Sequence, residues 1–196
     1  MEKALLIDYE EIRKQGEKLE EQLLKGKTIR KVTDQGTDLI FQIDKEFIQL
    51  DDGIVSEKDV AKGHLSANLP AGILEAAPIE GSTERKVLVD SPQLRLGKII
   101  EKTQLEFKTG QLIAISAEQS EETLKKTLNR ICTEKPILSR MAIGLNPNME
   151  PGFLFDEVCQ GRVTLAVGGK QGGCLLSGVL QQPTIYIDDE KLTELD

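Results

Sequence analysis

The sequence predicts a β-rich α+β domain, a mainly antiparallel sheet with covering helices. Three observations carry that expectation. Short segments alternate apolar and polar residues along most of the chain, with tight turns between them, as half-buried antiparallel strands do. Two longer stretches, one from about Tyr9 to Lys25 and one after Ser120, switch to helical periodicity. No linker, internal repeat or low-complexity tract divides the chain, so residues 1–196 read as one domain.

The first helix is predicted by Asp8 and Glu11, an Asp form of the capping box, and by Ile12, Leu19 and Leu23 at helical spacing. Gly26 is expected to end it as a left-handed residue. A strand from Thr28 to Thr33, a turn at Asp34-Gln35-Gly36, the alternation of Leu39, Phe41 and Ile43, a second turn at Asp44-Lys45 and the segment Phe47–Leu50 read as a β-meander. Lys58 to Gly72 reads as irregular. Further strands are expected at Lys86–Val89, Leu94–Leu96, Ile99–Phe107 and Gln111–Ser116, the last two joined at Lys108-Thr109-Gly110. Ser120 is the expected cap of the second helix, with Leu124, Leu128 and Ile131 on its buried stripe and Pro136 just beyond it. Met141–Leu145, Val163–Val167 and Thr184–Ile187 complete the strands, with a short helix over Phe153–Gln160 and a glycine-bracketed loop from Gly168-Gly169 to Gly172-Gly173.

Composition excludes several functions. With 39% hydrophobic and 30% charged residues, the chain is ordinary globular protein rather than disordered polymer. A net charge of −8 repels phosphate backbones, and the absence of Trp leaves little with which to stack bases, so nucleic acid is not an expected partner. No run approaches the roughly 20 apolar residues of a membrane helix, and the first residues do not read as a secretory signal. The expected location is the cytoplasm, with no membrane partner. The cysteines, Cys132, Cys159 and Cys174, are odd in number and far apart, and read as free thiols. The single histidine, His64, has no nucleophile elbow to serve and reads as a surface loop residue. The glycines at 168, 169, 172 and 173 spell no phosphate loop.

Several segments, in order, resemble one family. They are Asp8-Tyr9-Glu10, Gly36-Thr37-Asp38-Leu39, Asp51-Asp52-Gly53, Asn68-Leu69-Pro70-Ala71-Gly72, Ala77-Pro78-Ile79-Glu80-Gly81-Ser82, Ile143-Gly144-Leu145-Asn146-Pro147, and Gly161 to Gly168. The chain resembles the C-terminal, catalytic domain of the thermophilic aminopeptidases, the leucyl aminopeptidases of the T and S types. The dihydroxypyridine ring-opening dioxygenases share that domain. The family's separate N-terminal domain is absent from the sequence, which reads as a stand-alone relative or a cut-down form.

The resemblance implies two divalent metals held by acids and histidines, and this chain departs from it at those positions. Ile73 stands where a Glu follows Pro-Ala-Gly. Arg140 replaces a second Glu, Thr164 replaces a His, and Leu175 and Ser177 replace a His-x-Asp pair. Side chains of Ile and Leu donate no lone pair, and Arg140 brings a fixed positive charge to a dication's place. No cofactor is therefore expected. The expected function is a non-catalytic binding or assembly domain. Its former metal cleft would be lined by Glu75, Glu80, Arg140, Thr164 and Ser177, either closed by an Arg140–Glu pair or open to a small anion or a peptide carboxylate. The alternative is a metal-dependent leucyl aminopeptidase or related hydrolase with carboxylate ligands, which would favour magnesium, calcium or manganese. A ring-opening oxygenase fits less well, because one histidine cannot build a two-His iron site. Loss of the N-terminal domain would expose apolar surface, so a homodimer or a partner chain is expected.

Overall fold

The computed structural model describes residues 2–61, 63, 65–131, 135–152, 155–169 and 176–192. Of the residues named above, His64, Cys132, Cys174, Leu175, Phe153, Gly172, Gly173 and the side chain of Ile131 lie outside that set.

Asp8 opens the first long helix. A short helix α1 (Glu2–Leu5) precedes it, and α2 runs from Tyr9 to Lys25. The Asp8 carboxylate accepts the N–H groups of Glu10 and Glu11 at 3.0 and 3.2 Å, which satisfies donors that a helix start leaves free. Ile12, Leu19 and Leu23 are buried as the spacing predicts. Gly26 ends the helix in a different way from that expected. Its φ is −81°, not left-handed. The position needs glycine because a Cβ there would stand 2.1 Å from Ile187 Cγ2. At the same helix end Lys45 Nζ donates to the Leu24 carbonyl at 2.6 Å, a cation where the helix dipole favours one.

The strands in order are β1 (Thr28–Val32), β2 (Asp38–Asp51), β3 (Ile73–Pro78), β4 (Glu84–Val89), β5 (Gln93–Arg95), β6 (Lys98–Ile100), β7 (Thr103–Lys108), β8 (Gln111–Ser116), β9 (Ile137–Gly144), β10 (Val163–Gly168), β11 (Leu176–Leu180), β12 (Thr184–Ile187) and β13 (Glu190–Lys191). Two further helices, α3 (Glu57–Ala61) and α4 (Glu121–Ile131), interrupt them, and Leu124 and Leu128 of α4 are buried.

Five local expectations are corrected. No turn forms at Asp44-Lys45: β2 runs through, and its register against β3 jumps from Asp44↔Ala77 to Ile48↔Ala76, so Lys45–Phe47 bulge outward. The segment Lys58 to Gly72 is not wholly irregular, because α3 (Glu57–Ala61) runs into its start. Ile73–Pro78, not read as a strand, is β3. The strand expected over Ile99–Phe107 breaks at Lys102, whose φ is 49°. The helix expected over Phe153–Gln160 is, among the described residues, one 3₁₀ turn at Asp156–Val158.

The strand pairings are all antiparallel, and they close a ring. The path runs β2–β4–β7–β8–β9–β3 and returns to β2. Its β8–β9 join is the single pair Gln111↔Ile137. From the ring, β10 and β11 extend beyond β9, while β1, β12 and β13 extend beyond β2. The β5–β6 ribbon stands apart from this sheet. The α+β expectation holds: among the described residues antiparallel strand outweighs helix, and the helices are few.

One core residue is out of character. On β1, Ile29 and Lys31 point to the same side, and both are 0% exposed. Lys31 lies opposite Leu39 of β2 and Ile185 of β12, both buried. Its Nζ has no hydrogen-bond partner among the described residues and stands 5.9 Å from the centre of the Phe41 ring. Burial pushes its pKa well below the ordinary lysine value. Between the folded and unfolded pKa values the unfolded chain binds the extra proton, so this residue makes stability rise with pH. Lys31→Met is expected to stabilise the protein at neutral pH by about 1–3 kcal/mol, the cost of an unpaired buried polar group. The gain should shrink as pH approaches about 10, near the ordinary lysine pKa. Urea unfolding of both proteins at several pH values measures the difference.

Candidate functional site

The geometry of the site begins with a bulge. Across β9 and β10, Arg140 faces Ala166 but Leu138 faces Val167, which leaves Ser139 unpaired. Ser139 Oγ donates to the Ala166 carbonyl at 3.1 Å and holds the irregularity. The extra residue shifts the alternation, so Leu138 and Met141 both enter the main core while Arg140 turns to the opposite face.

Register then decides which residues share that face, because directly opposed residues point the same way. Glu75 lies opposite Ala142, Ala142 opposite Thr164, Ala166 opposite Arg140 on one side and Ser177 on the other. Ile73, two residues from Glu75, shares its side of β3. The residues singled out on β3, β9, β10 and β11 therefore belong to one surface. Glu80 does not join them. It lies in the exposed turn between β3 and β4.

Arg140 sits between two acids. Its Nη2 meets Glu75 Oε1, and its Nη1 donates to Glu157 Oε2 at 3.2 Å. The Arg140 side chain is 22% exposed, against 36% for Glu75 and 37% for Glu157. Burial alone would lower the guanidinium pKa, but the two carboxylates outweigh it and the net shift is upward. Glu157 was not foreseen, since nothing in its local sequence marks it as a partner for a residue on β9.

Beside this triad the face is apolar. Ile73, Ala142 and Val158 form a buried cluster of their own, with Met149 and Phe155 packed on it. The segment that brings Glu157 and Val158 over the sheet is anchored by Asn146, which is 0% exposed. The Asn146 N–H donates to the Val158 carbonyl at 2.8 Å, and its own carbonyl accepts from Gln160 N–H at 3.0 Å. Its side-chain amide donates to the carbonyls of Ala4 and Ala71 at 3.0 and 2.9 Å, and its Oδ1 accepts from Asn148 N–H at 3.0 Å. Arg162 and Asp156 pair at 2.9 Å below the same segment's start. Close approach is enforced at Gly144, where a Cβ would stand 2.1 Å from the Cys159 carbonyl oxygen.

At the far side of the face, Arg95 reaches Ser177. Its Nη2 donates to the Ser177 carbonyl at 3.2 Å and to Ser177 Oγ at 3.3 Å. Thr164, 2% exposed, keeps an Oγ1 without a hydrogen-bond partner. Arg140, Thr164 and Ser177 thus share a face, but Arg140 is committed to its acids and Ser177 to a different arginine. Clefts of about 690 Å³ (around Lys102 and Gln104) and about 360 Å³ (around Gln22 and Leu192) are lined by none of these residues.

The Thermophilic metalloprotease (M29) family model matches residues 6–174. The chain belongs to that family. No curated protein matches it. Among solved structures it is similar to 2,5-dihydroxypyridine dioxygenase from Pseudomonas putida, with 17% identity and a TM-score of 0.75 over 96% of this chain and 59% of that one. It is also similar to wild-type AmpT from Thermus thermophilus, with 18% identity and a TM-score of 0.69 over 97% of this chain and 55% of that one. The shared fold is what these likenesses establish. This metalloprotease-family chain spans between half and two thirds of the length of either.

The donor set on the face does not fit the metals that the family resemblance implies. Ile73 offers no lone pair, Thr164 and Ser177 offer only hydroxyls, and Arg140 offers a cation. Among the described residues no three His, Cys, Asp or Glu side chains gather as metal ligands. The two acids that do converge, Glu75 and Glu157, converge on a guanidinium.

Removing that guanidinium leaves two half-buried carboxylates facing each other. Arg140→Ala is expected to cost about 2 kcal/mol, between the ~0.5 of an exposed pair and the ~4 of a buried one. A double-mutant cycle with Glu75→Ala, read by urea unfolding, should show the two losses to be less than additive.

Proposed function

We propose that this chain is a non-catalytic member of its family, a cytoplasmic binding or assembly domain in which the metal centre has been replaced by an ion-pair triad. One observation supports the reading above others: Arg140 holds Glu75 and Glu157 on the face where the family resemblance puts metal ligands. A guanidinium already fills the space between the acids, and a dication brought there would meet a fixed like charge about one ion-pair length away. Without a metal-activated water, hydroxyls and neutral amides on this face have no means of attacking a peptide bond at neutral pH.

The assembly half of the proposal draws on exposed apolar side chains. Leu94, Leu96 and Ile99 on the β5–β6 ribbon are 55%, 60% and 42% exposed, and Leu65 and Leu69 are 72% and 58% exposed. Side chains of this kind favour a homodimer or a partner chain. Light scattering at increasing concentration should show self-association, and a monomer at every concentration would leave a partner chain as the assembly route.

Elemental analysis after incubation with zinc, cobalt and manganese is expected to find no stoichiometric metal, and leucyl amides should not be hydrolysed. One or two ions per chain, with metal-dependent hydrolysis, would instead establish the carboxylate-ligand hydrolase. Arg140→Glu is the sharper test. It places a third carboxylate beside Glu75 and Glu157, so manganese should raise the melting temperature of this variant and not of the wild type.

A further inference from the structure

We infer that Arg95 and Ser177 form a binding subsite for a carboxylate ligand on the β9–β11 face, with Thr164 as a further hydroxyl donor. The inference deepens the reading of this chain as a binding protein and rests on it. It moves the anion-binding role from Arg140, which is already paired with acids, to an arginine that meets no carboxylate among the described residues.

The contrast among arginines carries the argument. Arg13, Arg30, Arg85, Arg140 and Arg162 each meet a carboxylate. Arg95 is half-buried and meets none among the described residues. Its contacts are the Leu94 carbonyl at 3.1 Å and the two oxygens of Ser177, all neutral. In a chain with 33 acids against 25 lysines and arginines, counter-ions are not scarce, so a half-buried guanidinium that meets no carboxylate among the described residues is a local vacancy for negative charge. The three bonds leave Nε–H and a further N–H of the planar fork unspent.

Independent support comes from Thr164. Its buried hydroxyl has no partner among the described residues, a state that costs free energy unless a ligand or water completes it. Thr164 lies opposite Val179 and Ser177 opposite Ala166, so the two residues are diagonal neighbours on one face, their backbone positions about 7 Å apart by strand geometry. Ser177 Oγ accepts from Arg95, which leaves its own proton free to donate. A planar fork with nearby hydroxyls suits a carboxylate. Glu75 and Glu157 on the same face disfavour a doubly charged phosphate.

The carboxylate can come from a small free acid or from the C-terminal end of a peptide, and the probes separate these sources. Thermal shift and calorimetry would use acetate, N-acetyl-alanyl-leucine and the C-terminal amide of that peptide, with chloride holding ionic strength constant. The peptide acid is expected to raise the melting temperature saturably and the amide to do nothing. Equal affinity for acetate assigns a small free acid, whereas binding at least about tenfold tighter for the peptide assigns a chain end. Arg95→Lys keeps the charge but loses the fork, and should weaken binding about tenfold or more. Ser177→Ala, which leaves Arg95 in place, should weaken it less. No saturable carboxylate response, an Arg95→Lys variant that binds as the wild type does, or phosphate binding as tightly as the peptide acid would each overturn the assignment. Failure here is separable from failure of the proposed function, because metal uptake tests Arg140 and its acids while these probes test Arg95.

Discussion

The site depends on one buried amide. Asn146 is fully enclosed, and each of its polar groups is engaged, by helix α1, by the loop at Ala71, and by the segment that carries Val158 and Gln160. A buried carboxamide with every group satisfied is directional in a way that apolar packing is not, since each bond fails if its partner moves by an ångström. Three stretches distant in sequence are thereby fixed to the end of β9. Glu157 can reach Arg140 only because this anchor sets the path of the chain around it. The motif Asn146-Pro147 is thus a structural joint, and the chemistry beside it is free to change while the joint stays.

On the proposed reading, what has changed is the charge at the centre of the face. Two carboxylates and a dication sum to zero, whereas two carboxylates and one guanidinium leave a single negative charge. Water can carry the remainder, because Glu75 and Glu157 keep more than a third of their side-chain surface. The apolar cluster of Ile73, Ala142 and Val158 lies next to the triad on the dry side. Ile73 belongs to that cluster, so under the proposed reading residues 73 and 140 act in one direction: the first offers no donor, and the second supplies the cation that the two acids need.

Much of this was legible in the sequence, for reasons that can be traced. Helix α2 announced itself through Asp8 and a clean apolar stripe, and the β7–β8 hairpin through alternation on either side of Thr109-Gly110. Motif order pointed to Glu75, Arg140, Thr164 and Ser177, and the strand register puts these four on one face. Other features were hidden. Strand β3 ends in Ala76-Ala77-Pro78, small residues and a breaker that give no periodic signal, although it bridges β2 and β9. The polar run Asp44-Lys45-Glu46 looks like a turn and is a bulge. Glu157 and Arg95 are invisible as site residues, because each reaches its partner through tertiary packing that no local pattern encodes. Lys31 shows the opposite failure: its phase on β1 marks it as inward, and only its chemical type argues against burial.

That lysine also has a history within each molecule. Strand β1 pairs with β12, Ile29 against Ile187 and Lys31 against Ile185. During synthesis β1 therefore has an open edge until residues 184–187 have left the ribosome, long after β2 is available on its other side. An open strand edge invites pairing with other nascent chains, and a solvated lysine on it is an effective deterrent. Burial of its ammonium is complete only once β12 lies beside β1. The desolvation that burdens the finished fold is the counterpart of a charge that would discourage edge pairing in a chain not yet closed by β12.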